Sequence, residues 1–316
     1  MILISRSSIM KKNQTNLTEF ILDGFSAFPE LQTVLSVVFL LMYILTLLGN
    51  LVIISVIGVD CNLHVPMYFF LSVLSFSETC YSLVIIPKML VNLLARSKTI
   101  SFAGCAAQMF FFLGLGGTNC LILTVMGYDR FLAICYPLRY PVLMNVWGFS
   151  QLVAFSWAVG FLISLTETVL VFRLPFCDSH VISHFFCHMR TLVRLACTDD
   201  HITEGVIAAI SIVGLSVSFM LIMLSYVFIL STILRIPSTD GRHTAFSTCA
   251  SHLIVVIVHY GFASIIYFKP NTASALNNDT LLSIPYTIIT PFLSPMIFTL
   301  RNKEFKVAFK RVLGLP

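Results

Sequence analysis

Charged side chains in this chain fall in short clusters, and the long runs between them carry none. Leu31–Ile57, Phe102–Tyr128, Val142–Thr166, Gly205–Leu234, Thr244–Phe268 and Thr280–Leu300 contain no Asp, Glu, Lys or Arg. A seventh run, Val65–Pro87, contains the single acid Glu78. A hydrocarbon core takes about 20 helical residues to cross, and each run is long enough. Lipid offers no hydrogen-bond partner to an open backbone, so such runs become helices that satisfy their own amides. The pattern predicts an all-α membrane protein, a seven-transmembrane helix bundle. Composition removes the alternative of a soluble protein with a large core. Of 316 residues, 58% are hydrophobic and 10% charged, against about 25% charged in a soluble domain.

Three parts follow from this pattern: a tail over residues 1–30, a bundle over 31–300, and a second tail over 301–316. An odd number of spans puts the two tails on opposite sides. The bulk count of Lys and Arg does not decide which side is which. Their distribution does: Arg301, Lys303, Lys306, Lys310 and Arg311 crowd the end of the last span, predicting a cytosolic C-terminus. The first tail carries two tandem glycosylation sequons, at Asn13 and Asn16, which are of use only in the lumen. The apolar run before Lys11 and Lys12 is too short for a cleavable signal peptide, so the first span is expected to act as signal anchor. In the last tail Phe305, Ala308, Phe309 and Val312 share a helical face opposite Lys303, Lys306 and Lys310. An amphipathic helix lying on the anionic inner leaflet is expected there.

Cysteine placement fits that orientation. Cys177, Cys187 and Cys197 crowd the connection after the fourth span, and Cys105 begins the third span on the same side. Four thiols on an oxidising face permit two disulfides in any of three pairings. Cys61, Cys80, Cys120, Cys135 and Cys249 lie in spans or on the reducing side and read as small buried side chains.

Enzymatic signatures are absent. There is no Gly-rich phosphate loop, no Gly-x-Ser-x-Gly and no His-Glu-x-x-His, and no cofactor is implied. His184-Phe185-Phe186-Cys187-His188 is the one cluster with metal-ligand chemistry, and a disulfide at Cys187 would take away the thiolate it needs. His252 and His259 on the sixth span read as hydrogen-bonded packing residues. Glu167, near the outer end of the fourth span, is expected to face lipid or loop.

Met126–Tyr140 reads MGYDRFLAICYPLRY. Asp129 and Arg130 sit at the cytosolic end of the third span, where a charge escapes most of the membrane cost. An arginine held by its neighbouring acid can exchange partners when helices move, which makes the pair a candidate latch for a two-state receptor.

That stretch resembles the third-helix signature of the vertebrate olfactory receptors, a branch of the rhodopsin-like G-protein-coupled receptors. The other motifs recur in order: Gly49-Asn50 in the first span, Pro66-Met67-Tyr68-Phe69-Phe70-Leu71-Ser72 opening the second, and Ser225-Tyr226 in the fifth. Ala245-Phe246-Ser247-Thr248-Cys249-Ala250-Ser251-His252-Leu253 opens the sixth, and Pro291, Pro295 and Leu300-Arg301-Asn302 close the seventh. The resemblance covers about residues 15–312, and the long loop with three cysteines is similar to that of the terrestrial-type class. Some positions depart from the family pattern. Gly127 and Phe131 replace Ala and Tyr around Asp129-Arg130, and Thr244 replaces a Lys. Ser294-Pro295-Met296-Ile297-Phe298 replaces Asn-Pro-x-x-Tyr. Losing that amide and that phenol removes two polar switch groups, so unusual basal activity or coupling is expected.

The resemblance implies an odorant receptor, not an enzyme. It implies coupling through Asp129, Arg130 and Tyr226 to an olfactory stimulatory heterotrimeric G protein that raises cyclic AMP. It pairs Cys105 with Cys187 and Cys177 with Cys197. It places the protein in the plasma membrane of olfactory neuron cilia, with an extracellular N-terminus. It puts Glu78, facing Asn119 and Ser294, at the sodium-site position of rhodopsin-like receptors, with a protonated structural Glu78 as the alternative.

On the third helix Phe112, Leu113, Gly116 and Gly117 share one face at 3.6 residues per turn. By resemblance the ligand pocket continues with Ile210, Ser211 and Gly214 on the fifth helix, Tyr260, Ala263, Ser264 and Tyr267 on the sixth, and Ile284, Thr287 and Ile288 on the seventh. The set is apolar and aromatic with a few hydroxyls. The expected ligand is a small, neutral, hydrophobic volatile molecule. A transporter or channel would instead show internal repeats or several intramembrane charges along a path.

Overall fold

The computed structural model describes residues 18–26, 29–95, 97–176, 180–197, 201–267 and 279–314. Asn13, Asn16 and Cys177 lie outside the described residues, as does the side chain of Tyr267. Among those described, seven helices are long and apolar enough to cross a membrane: Pro29–Val59, Pro66–Leu94, Phe102–Cys135, Val146–Phe172, Ile202–Leu234, Cys249–Ile266 and Thr280–Arg301. The protein is therefore the seven-helix bundle its uncharged runs predict.

The helices are α1 (Gln32–Val59), α2 (Pro66–Leu94), α3 (Phe102–Cys135), α4 (Val146–Phe172), α5 (His201–Leu234) and α6 (Thr239–Tyr267). A seventh, α7, runs through Asp279–Ile284, a π-helical turn Pro285–Ile289, and Thr290–Arg301. A short α8 (Lys303–Val312) follows. Their starts are chemically marked. Pro66 opens α2, where its missing N–H would be unpaired anyway. Ser101, Asn145 and Asn302 cap α3, α4 and α8 by accepting from the N–H groups of Gly104, Gly148 and Phe305.

Helix α3 is the central column. Helices in lipid gain little from hydrophobic burial and pack instead where small residues let backbones approach. Between α3 and α4 that residue is Gly160. A Cβ there would lie 2.6 Å from Thr118 Oγ1 and 2.9 Å from its backbone nitrogen. Ser164, one turn on, donates to the Phe110 carbonyl. Together they fix the rotation of α4 about its own axis.

One feature outside the all-helix expectation is a small sheet at the end where α3 begins. Strand β1 (Glu19–Leu22) pairs antiparallel with β2 (Thr99–Ser101), Phe20 opposite Ile100, and parallel with β3 (Val181–Ile182), Ile21 opposite Val181. Phe20 and Leu22 point inward and are fully buried. At this end Cys105 and Cys187 are joined in a disulfide, Cα–Cα 5.5 Å, as the resemblance implies. Cys197 is also disulfide-bonded.

At the opposite end α8 folds back along α1 and α2. Phe305 and Ala308 are buried. The Tyr68 hydroxyl donates to Glu304 Oε2 at 2.8 Å, and Arg311 Nη1 donates to both oxygens of Asp60 at 3.0 and 2.8 Å.

Candidate functional site

Two places on α3 carry the chemistry. The first is a cavity of about 320 Å³ between α3, α4 and α5, with Tyr286 of α7 at its edge. Its α3 wall is Phe112, Leu113, Gly116, Gly117, Cys120 and Leu121. The glycines open the space, because neither puts a side chain between α3 and its neighbours. Gly116 instead receives the Tyr286 hydroxyl, 3.1 Å from where its Cβ would stand. Ile210, Ser211 and Gly214 line the α5 wall. Around Gly214 the space is open: a Cβ there would meet nothing within 4 Å. Toward the sheet end the connection after α4 covers the site. Phe186 rests on Phe112 with ring centres 4.7 Å apart, and the Cys187 N–H donates to Gln108 Oε1 at 3.0 Å.

Seven of the residues expected from sequence thus meet at one cavity: Phe112, Leu113, Gly116, Gly117, Ile210, Ser211 and Gly214. Others do not line it. Tyr260 is buried and donates to the carbonyl of Cys120, a residue of the cavity wall, at 3.2 Å. Ala263 is fully buried, and Ser264 bonds back to the Tyr260 carbonyl. On α7, Thr287 bonds back to Ser283 and Ile288 packs in the core, while Ile284 packs against it. Tyr286 takes their place at the cavity. The π-helical turn at Pro285–Ile289 sets which α7 side chain is presented, a register that a regular helical wheel does not give.

Glu167 corrects the expectation that it faces lipid or loop. It is 3% exposed, lines the cavity, and its Oε1 accepts the Ser211 hydroxyl at 2.6 Å. The reason lies on α4. Ser156, Gly160, Ser164 and Glu167 recur at intervals of four, four and three residues, so the stripe that Gly160 holds against α3 carries Glu167 inward with it. That stripe of small polar residues was the available signal.

The second place is the far end of α3. Arg130 donates to Asp129 Oδ2 from Nε and Nη2 at 3.1 and 2.9 Å, while Tyr140 donates to Oδ1 at 2.8 Å. Asp129 is fully buried, and the Arg130 side chain is 14% exposed. About two turns inward along α3, Tyr226 on α5 donates to His252 Nδ1 on α6 at 2.8 Å, and His252 Nε2 lies 3.0 Å from the Leu123 carbonyl on α3. The carbonyl can only accept, which fixes the proton on Nε2 and leaves Nδ1 to accept from the tyrosine. His259 meets the Cys120 sulfur at 3.3 Å. Both histidines are buried and hydrogen-bonded.

Glu78 is buried, and the Ser294 hydroxyl donates to the Thr290 carbonyl at 3.1 Å. Asn119 Oδ1 is buried with no hydrogen-bond partner among the described residues. In the loop after α4, Cys187 is spent on its disulfide, and His184 Nε2 lies 3.0 Å from the Ser283 hydroxyl.

Residues 39–315 match the family model described as olfactory receptor. Human olfactory receptor 10X1 is 60% identical over 311 residues, covering 98% of this chain and 94% of that protein. Human olfactory receptors 10R2 and 10T2 are 54% and 52% identical, covering 97% and 96% of this chain and 91% and 96% of theirs.

Proposed function

This chain belongs to the olfactory receptor family, and on that premise we propose that it detects small, hydrophobic, neutral volatile ligands in the α3–α4–α5 cavity. It signals through an olfactory stimulatory G protein that raises cyclic AMP. The observation that carries this reading is that one helix holds both places. The cavity wall ends at Leu121, and Arg130, held by Asp129, lies nine residues on, about 13 Å along the axis at 1.5 Å per residue.

The mechanism is a population shift. The state described here has Arg130 clasped by Asp129, and α6 tied to α3 through His252. A ligand can move this equilibrium only by its difference in affinity for the two states. An odorant wedged between α3 and α5 favours the state in which the ends of α3 and α6 separate. Separation exposes Arg130 to the G protein, with Tyr226 freed from His252 to join it. The protein sits in the plasma membrane with the sheet and disulfide outside and α8 on the inner leaflet. Its glycans are carried on Asn13 or Asn16.

The cavity is nearly all hydrocarbon, so affinity comes from contact area and is limited by ligand size. Weak, broad recognition is expected. The test is cyclic AMP in cells expressing this chain with that G protein, challenged by a panel of neutral volatile compounds. A response in the wild type and none in a surface-expressed Arg130→Ala supports the reading. A flat wild type across the panel despite good surface staining contradicts it.

A further inference from the structure

The cavity carries one group that a site for plain hydrocarbon does not need. Glu167 is a carboxyl group at membrane depth, 3% exposed, on the wall of an otherwise apolar space. An ionisable group inside a membrane protein is expensive to keep and marks function by default. One of its oxygens is occupied: Oε1 accepts the Ser211 hydroxyl at 2.6 Å. The other, Oε2, has no hydrogen-bond partner among the described residues. In a mostly apolar cavity a hydrogen bond to this carboxyl is electrostatically stronger than it would be in water, so a ligand that donates to Oε2 gains from it.

We propose that Glu167, oriented by Ser211, is the specificity-determining residue of this cavity, and that the preferred ligand is a hydrocarbon body bearing a hydroxyl group that donates to Oε2. The proposal rests on the cavity being the odorant site. The physical argument has two halves. Most of the rest of the lining, Phe112, Leu113, Ile163, Val213 and Leu215 among it, asks only for apolar volume, and the Ser218 hydroxyl that also lines it is spent on the Gly214 carbonyl. The Gly214 gap leaves that volume free next to Ser211, on the helix turn where the carboxyl sits. A neutral hydroxyl enters at small desolvation cost, whereas an ammonium group loses its hydration to make a buried ion pair. A ligand of the same shape without a donor fills the space but leaves Oε2 unpaired. Sites built to bond a hydroxyl reject such analogues far more strongly than apolar sites reject a missing methylene.

The experiment is a binding titration on the purified full-length receptor, read as ligand-dependent thermal stabilisation, with octanol, heptyl methyl ether and octylamine. These share length and shape and differ at the head group. Octanol is expected to bind about tenfold or more tightly than the ether. The preference should persist in Glu167→Gln, whose amide oxygen still accepts, and vanish in Glu167→Met. Equal binding of octanol and ether in the wild type overturns the proposal without any variant. So does tightest binding by octylamine, or a preference that survives Glu167→Met. Gly214→Leu separates the two levels. If it blocks octanol and ether alike but the two bind equally in the wild type, the cavity is the site and only the assignment to Glu167 fails. If it leaves binding untouched, or octanol does not bind at all, the cavity reading itself falls and takes this proposal with it.

Discussion

The hydroxyl of Tyr226 lies 2.8 Å from Nδ1 of His252, joining α5 to α6 through a ring whose other nitrogen reaches α3 at the Leu123 carbonyl. Three helices, of which α3 and α6 part in the proposed mechanism, are thus held by one imidazole, which is fully buried. Each such bond is worth about 1 kcal/mol net. Replacing the ring with one that cannot bond, His252→Phe, should raise basal cyclic AMP about fivefold per lost bond at equal surface expression. Unchanged or lower basal signalling would sever this link from the switch.

Asp129 offers the complementary test. Its Oδ2 takes two hydrogen bonds from Arg130, and Tyr140 secures the other oxygen. Asp129→Asn removes the charge that holds the guanidinium and keeps the side-chain shape. Ligand-independent cyclic AMP should rise, while Arg130→Ala should abolish the response to any agonist. If Asp129→Asn silences the receptor while it reaches the surface normally, Asp129 belongs to the active state rather than to the latch.

Two glycines predict opposite outcomes for the same substitution. A Cβ on Gly160 would sit 2.6 Å from Thr118 Oγ1 and 2.9 Å from Thr118 N, the latter a backbone atom that cannot rotate away. Gly160→Ala should cost about 1–3 kcal/mol through overpacking, read as a lower unfolding temperature and reduced surface expression. Gly214→Ala meets nothing within 4 Å and should leave both unchanged. Equal behaviour of the two variants would mean that α3 and α4 are not in close contact.

The attachment of α8 should depend on pH through Asp60. Its carboxyl is held below the usual carboxylate range chiefly by the Asn62 backbone N–H. Burial opposes this, and the Asn62 amide and the Arg311 guanidinium lower it further. A group with a lowered folded value stabilises fully above its unfolded value, about 3.9 for an aspartate. That contribution fades as pH falls through the lowered one. Amide exchange protection in α8, corrected for intrinsic rates, should therefore stay level from pH 7 to about pH 4 and drop only below. In Arg311→Gln the drop should begin at higher pH. A wild-type profile that falls already between pH 7 and 5 would contradict the pairing.

What was legible in the sequence follows from what lipid forbids. Six uncharged runs and a seventh with a single acid had to be helices, and they are. Phe112, Leu113, Gly116 and Gly117 could be placed on one face because helical spacing fixes it. The disulfide Cys105–Cys187 came from family resemblance, since spacing alone leaves three pairings. Glu167 was misread because the apolar residues of α4 surround it on nearly every side and only the thin stripe Ser156, Gly160, Ser164 and Glu167 marks its inward face; its rotation is set by Gly160 against Thr118, a contact between two helices. Tyr286 was missed because it sits inside a π-helical turn, where the regular 3.6-residue wheel does not hold. The sheet escaped notice because strands of four, three and two residues leave too little alternation to read. For Glu167 and for the sheet the deciding contact joins segments far apart in the chain.

The central claim is that odorant in the α3–α4–α5 cavity drives signalling through Arg130. Its most direct test is a set of cyclic AMP dose–response curves for the wild type, Gly214→Leu and Arg130→Ala, with surface protein measured in parallel. The account expects a wild-type response, a curve shifted to at least about tenfold higher concentration when the Leu side chain occupies the cavity, and no response at any dose without Arg130. Coincident curves for the wild type and Gly214→Leu would place the ligand elsewhere, and a full response from Arg130→Ala would remove the arginine from the mechanism.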